Sequence, residues 1–201
     1  MSATRAGRRS IPVLSALLLA LLSWKPQASC SADDTATLDA VMSRLAQRRH
    51  GEADFTEEKH LAMLKAPARS SGKLIYDAPD HLEERTLSPR PQSVVLDHGI
   101  LTMRTGSHSR TLALADYPQF APLIDSIRAT LAGDRAALER AFDVRFDGSQ
   151  DLWHLHLEPR DPQLQRTLKQ IELTGSRDAI SEVEIQQRDG DRSLMHITPR
   201  E

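Results

Sequence analysis

Residues 71–101 read Ser71-Gly-Lys-Leu-Ile-Tyr-Asp-Ala-Pro-Asp-His-Leu-Glu-Glu-Arg-Thr-Leu-Ser-Pro-Arg-Pro-Gln-Ser-Val-Val-Leu-Asp-His-Gly-Ile-Leu101. Three short β-rich runs, Gly72–Asp77, His81–Leu87 and Gln92–Asp97, follow one another here, and a fourth, Ile100–Thr105, begins at the end of the stretch. Each is bounded by turn chemistry: Ala78-Pro79-Asp80, Ser88-Pro89-Arg90-Pro91, Asp97-His98-Gly99 and then Gly106-Ser107. A period of two between tight turns predicts an antiparallel meander.

Upstream the period changes. Leu38, Val41, Met42 and Leu45 fall at i, i+3, i+4 and i+7, with Arg44, Arg48 and Arg49 off that stripe. This predicts an amphipathic helix over 33–49 that stops at Gly51. Downstream, Phe120, Leu123, Ile124, Ile127 and Leu131 predict a helix within 117–131. Gly133 fits its C-terminal end, and Asp134 fits the N-cap of a second short helix with Ala137, Leu138 and Ala141. Strands resume at Phe142–Phe146, Leu152–Glu158, Leu168–Thr174, Ile180–Gln187 and Ser193–Thr198, with Asp189-Gly190 as a hairpin signal. Ile171 with Leu173, Val183 with Ile185, and Met195 with Ile197 alternate with polar neighbours, so each strand has one apolar and one wet face. The predicted class is α+β: a curved, unclosed antiparallel β-barrel, or half-barrel, whose concave face is covered by an N-terminal helix and a helical insertion. Such a sheet leaves a groove between strands and helices in which an apolar ligand can lie.

The chain has 201 residues, enough for one domain with its own core, and its 26 Lys+Arg against 28 Asp+Glu exclude a uniformly basic nucleic-acid binder. A single Cys excludes a disulfide framework. Residues 1–30 hold Arg5, Arg8, Arg9 and Lys25 and no acid, and the apolar run Ile11–Trp24 is 14 residues long, too short to span a ~30 Å hydrocarbon core. Basic then apolar then Lys25-Pro26-Gln27-Ala28-Ser29-Cys30 is the order of a secretory leader, so export to the periplasm is expected, with a signal peptide over 1–30 and the domain over 33–201. Outside residues 1–30 the formal charge is −6, from 22 basic and 28 acidic residues. Cys30 leaves two outcomes open. Cleavage beside it releases a soluble protein, whereas Ala28-Ser29-Cys30 also fits a lipoprotein leader whose Cys is acylated to anchor the chain at the outer membrane.

Three stretches carry a family resemblance: Ala53-Asp-Phe-Thr-Glu-Glu58, Ser71-Gly-Lys-Leu-Ile-Tyr-Asp-Ala-Pro-Asp-His-Leu82, and Val94-Val-Leu-Asp-His-Gly-Ile-Leu101. Together with Trp153-His-Leu-His-Leu-Glu-Pro159 and the run from Ile171, they resemble the periplasmic outer-membrane lipoprotein carrier family, LolA, and its membrane-anchored relative LolB. The resemblance covers roughly residues 35–198. It implies a lidded half-barrel, monomeric and without a cofactor, that carries an acylated lipoprotein or other lipid-like cargo from an inner-membrane donor to an outer-membrane acceptor or, when acylated on Cys30, is itself a LolB-like outer-membrane acceptor or assembly factor. The cargo-facing residues it implies are Leu74, Tyr76, Leu82, Val94, Leu96, Leu101 and Met103 from the first strands, and Phe120, Leu123, Ile124 and Ile127 from the insertion as lid. Trp153, Leu155, Ile171, Leu173, Val183 and Ile185 complete the set from the last strands. An acyl chain gains about 0.8 kcal/mol per buried CH₂, which is why it crosses water only when shielded. The chain departs from the family at two points: Ala78 precedes Pro79 where carriers have an Arg that controls lid closure, and aromatics are only 4% of residues. Both departures point to a divergent carrier with an unusual cargo.

Other chemistry is thinly represented. His154 and His156 project from one face of a strand, a spacing that metal sites and hydrolases use, but Trp153, Leu155 and Leu157 on the other face leave the histidines toward solvent. Glu57-Glu58 and Glu83-Glu84 are adjacent on strands and so point to opposite faces, which prevents either doublet from acting as an acid–base pair; both read as solvated strand edges. The reading is therefore a binding and transport protein, not an enzyme.

Overall fold

The structure is a computed structural model that describes residues 32–116, 121–149 and 151–200, with Cys30 and the leader outside it. Helix α1 (Ala32–Gln47) is the first described element and ends two residues short of the predicted end at Arg49. Six strands follow: β1 (His50–His60), β2 (Ala68–Asp77), β3 (His81–Ser88), β4 (Gln92–Asp97), β5 (Ile100–Thr105) and β6 (His108–Ala113). After a 3₁₀ turn come α2 (Ala121–Leu131) and α3 (Arg135–Ala141), then β7 (Phe142–Gly148), β8 (Trp153–Pro159), β9 (Leu168–Ser176), β10 (Ala179–Gln187) and β11 (Arg192–Pro199).

The strands form a single 11-stranded sheet in the order β6-β5-β4-β3-β2-β1-β11-β10-β9-β8-β7. Every pair is antiparallel, and all but one join strands consecutive in the chain. The exception is β1 with β11, which registers Phe55 opposite Ile197 and joins two meanders into one sheet. The sheet ends at β6 and β7 and is not closed, as the sequence predicts. Strand β6 is the element that sequence patterning misses. Its His-Ser-Arg-Thr stretch is exposed and has no apolar alternation, because β6 is an edge strand paired only to β5.

Local chemistry fixes the joints. His98 (φ 48°) and Gly99 (φ 77°) form the two-residue loop between Asp97 and Ile100, the left-handed pair that a tight hairpin needs. Gly133 (φ 65°) ends α2: Asp134 N donates to Ala129 O (2.8 Å) and Gly133 N to Thr130 O (3.1 Å), a Schellman closure. A Cβ at Gly133 would lie 2.0 Å from Met42 O, so the turn between α2 and α3 sits directly against α1. Asp134 then caps α3, accepting from Ala137 N at 2.9 Å as its position predicts. The main core gathers the α1 stripe, Leu138 of α3, Phe142, Trp153, Leu155 and Leu157 of β7 and β8, and Leu168, Ile171 and Leu173 of β9. It lies against the β7–β9 end of the sheet. No helix among the described residues is long and apolar enough to cross a membrane.

Candidate functional site

Strand register settles which residues share a face. Starting from Tyr76, the cross-strand partners run Gly51, Leu82, Leu96, Leu101 and Leu112. Starting from Leu74 they run Ala53, Glu84, Val94, Met103 and Arg110. Phe55 lies opposite Ile197, and Met195 opposite Val183, which continues to Leu173, Leu155 and Phe146. Ile185 continues to Ile171, Leu157 and Val144. Leu74, Tyr76, Leu82, Val94, Leu96, Leu101, Met103, Trp153, Leu155, Ile171, Leu173, Val183 and Ile185 therefore all lie on one face, the face that α1 and α3 cover over β7–β9.

Along that face the filling is uneven. Trp153 (1% exposed), Leu155 (2%), Ile171 and Leu173 are buried against α1 and α3, with Val183 and Ile185 packed beside them. Of the predicted cargo-facing residues on β2–β5, Tyr76 and Leu96 are buried, whereas Leu74, Leu82, Val94, Leu101 and Met103 are half-buried. In the insertion, Phe120 lies outside the described residues and the Leu123 side chain is not described. Ile124 is half-buried and Ile127 is 39% exposed; the described buried residues of α2 are Ala129 and Thr130, off the predicted stripe. Helix α2 is tied to the strands by an ion pair between Arg128 and Asp80 in the β2–β3 turn, the same turn in which Ala78 stands before Pro79. Burial raises the Tyr76 phenol pKa, while the charges of Arg49 and Arg128 pull it down.

The same face carries a polar band that sequence patterning misread. Glu57, expected to be solvated, is only 6% exposed. Ser70 Oγ donates to its Oε2 (3.0 Å), Ser193 Oγ donates to its Oε1 (2.5 Å), and Lys59 Nζ lies 3.1 Å away. Glu84 is half-buried two strands over; burial raises its pKa, the Glu57 charge adds to that, and Lys59 and a hydrogen bond from Thr86 partly offset it. Thr86 is buried and also accepts from Gln92 Nε2 at 3.4 Å. The alternation argument itself holds, since Glu58 pairs with Arg69 and Glu83 with Arg85 on the opposite face. What a sequence does not display is that Ser70 and Ser193 flank Glu57, because their meeting depends on strand neighbours 13 and 136 residues apart.

The histidine pair lies opposite the apolar face. His154 Nδ1 is hydrogen-bonded to Thr174 Oγ1 (3.2 Å), and His156 lies 3.3 Å from Asp147 and 3.7 Å from Glu172. No group of three or more His, Cys, Asp or Glu side chains is placed to hold a metal ion among the described residues.

Two clefts flank the face without being lined by its predicted residues. One, of about 730 Å³, lies between the helices and the β2–β3 turn and includes Asp80, Arg128, Ala132, Ala137 and Arg160. The other, of about 980 Å³, lies where the end of α1, the start of β1 and the β9–β10 turn meet, and is rich in arginine. In it Arg48 pairs with Asp178 (2.8 Å), and Asp77 at 2.5 Å from His50 holds the imidazole pKa above its ordinary value.

The family model described as "Outer membrane lipoprotein carrier protein LolA-like" matches residues 29–197. No curated protein sequence matches the chain. Among solved structures, the chain is similar to a LolA superfamily protein from Nitrosomonas europaea, at 10% identity and TM-score 0.45 over 82% of this chain and 91% of that one. It is also similar to the MucA/MucB complex structure of Pseudomonas aeruginosa, at 18% identity and TM-score 0.45 over 84% of this chain and 57% of the other, so it spans little more than half of that relative's length. LprF from Mycobacterium bovis matches at 11% identity and TM-score 0.39 over 84% and 92% of the two chains.

Proposed function

The chain belongs to the LolA-like family of outer membrane lipoprotein carrier proteins, and from that premise we propose that it is a periplasmic carrier for an acylated or lipid-like cargo. The cargo lies against the inner face of β2–β5 and is handed from an inner-membrane donor toward an outer-membrane acceptor. The family is one of binding and carrier proteins rather than enzymes, and binding and release without covalent chemistry suffice for the role. One observation carries the reading: an inner face whose apolar residues are filled by helices over β7–β9 and left half-buried at Leu74, Leu82, Val94, Leu101 and Met103, beside a polar band of Glu57 and Glu84. Each methylene of a cargo chain laid along those residues gains about 0.8 kcal/mol, so a long acyl chain is held firmly without any dedicated polar contact.

Export of the chain with cleavage near residue 30 completes the proposal, because a carrier must be released from its leader to move. Native mass spectrometry of the protein recovered from a periplasmic fraction tests it. The expected spectrum has an N-terminus near residue 30 and an added mass that fragments as an acyl-bearing molecule. Protein recovered repeatedly without added mass, with Leu101→Ala and Met103→Ala leaving acyl-probe binding unchanged, would overturn it.

A further inference from the structure

The cleft of about 980 Å³ is lined by Arg44, Arg48, Arg49, Arg177 and Arg200 against two carboxylates, Glu52 and Asp178. Three of these arginines are held in place by aspartates: Arg48 by Asp178 (2.8 Å), Arg200 by Asp54 (two contacts of 2.6 Å) and Arg177 by Asp151 (3.4 Å). A guanidinium has five N–H donors, so each of these pairs leaves donors over. The side chains of Arg44 and Arg49 make no hydrogen bond or ion pair among the described residues. Their charges act only through space, Arg44 on Asp178 and Arg49 on the Tyr76 phenol. Attraction to the carbonyl end of α1 accounts for Arg44 in its last turn and for Arg48 and Arg49 just beyond it, but not for Arg177 and Arg200, which come from the β9–β10 turn and from the residue after β11. Such a convergence is unusual in a chain that is net −6 outside residues 1–30.

We propose that this cleft is an anion site that binds a phosphate group, with Arg44 and Arg49 as its unengaged guanidinium forks and Arg48, Arg177 and Arg200 pre-oriented behind them. Planar forks match phosphate oxygens two at a time, and pre-orientation by the aspartates lowers the ordering cost of binding. The phosphate has two possible sources, a free anion in solution or the headgroup of a phospholipid at a membrane surface. The site is independent of the cargo face, because none of the cargo-facing residues lines the cleft.

The test titrates the purified protein with inorganic phosphate by calorimetry, and separately sediments it with vesicles of phosphatidylcholine alone or doped with phosphatidylglycerol. Saturable phosphate binding without vesicle binding identifies a solution anion. Sedimentation that needs phosphatidylglycerol and is competed by phosphate identifies the headgroup; either result supports the site. R44E/R49E is expected to weaken the positive arm about tenfold or more and R44Q/R49Q to weaken it less, while R90E/R166E, outside the cleft, leaves it unchanged. Circular dichroism checks folding, and if the charge reversal does not fold, R44Q/R49Q decides. Binding of neither probe overturns the proposal. So does binding that survives in the folded Arg44 and Arg49 variants, or that falls as far in R90E/R166E.

Discussion

The two ends of the sheet use one alternating pattern for different purposes. Over β7–β9 the inner face has only apolar residues and glycine: Phe142, Val144, Phe146 and Gly148, then Trp153, Leu155, Leu157 and Pro159, then Ile171, Leu173 and Gly175. The α1 stripe and Leu138 fill it, so it is core. Over β1–β5 the inner face mixes Phe55, Leu74, Tyr76, Leu96 and Leu101 with Glu57, Lys59, Glu84 and Thr86, and most of its apolar residues stay half-buried. The difference teaches that binary patterning identifies the inner face but not its filling. Filling is decided by which helix packs there, and over β1–β5 the described residues leave most of the apolar side chains half-buried.

Paired truncations probe that contrast most strongly. Leu155→Ala in the filled half is expected to cost about 2–5 kcal/mol of stability, since neighbours fixed by α1 and α3 relax only partly into the cavity. Leu101→Ala in the open half is expected to cost about 1 kcal/mol or less, because its side chain is already partly exposed, and to weaken binding of an acyl probe instead. Denaturant melts followed by circular dichroism compare the two. Equal costs would mean that the open half is packed as tightly as the closed one.

Glu57 gives the next effect. Removing it in Glu57→Ala leaves the hydroxyls of Ser70 and Ser193 and the ammonium of Lys59 without their common acceptor, for an expected cost of about 1–3 kcal/mol. Glu57→Gln, which keeps an acceptor oxygen, is expected to cost less. A loss of under about 0.5 kcal/mol in Glu57→Ala, the usual size of a surface change, would return Glu57 to the solvated strand edge that the sequence suggests.

How much of this the sequence displays depends on the range of the interaction. The α1 stripe, the Asp134 cap, the His98-Gly99 hairpin and the period-two runs are local, and the structure has each where the residues indicate. The shared face of Leu74, Val94, Met103 and the later strand residues is also legible, because alternation fixes a face once turns fix the register. Long-range neighbours are hidden. Phe55 meeting Ile197, Ser193 meeting Glu57, and residues 44–52 meeting 177–178 and 200 around one cleft all follow from the β1–β11 pairing, for which no local signal exists. On α2 the described burial falls beside the predicted stripe. Gly133 sets the end of that helix against α1, and Ala129 and Thr130 are buried there while Ile127 is 39% exposed.

The smallest effect is a pH dependence confined to the open half. Burial raises the pKa of Glu84 above its ordinary 4.5, and the neighbouring Glu57 charge adds to the shift. The folded state therefore holds this proton to higher pH than the unfolded chain does, so the stability linked to it is complete below the ordinary value and is lost as pH rises through the raised one. Glu84→Gln has no proton to lose. The variant is expected to gain on the parent protein as pH rises through the carboxylate range, and the gain levels off once Glu84 is ionised. In melts from about pH 4 to about pH 8, a difference between the two proteins that does not change with pH would show Glu84 to be as well solvated folded as unfolded. A growing difference would mark the open half as a place where the inner face gives up stability to keep an ionisable group beside its apolar residues, which no position on the inner face of β7–β9 does.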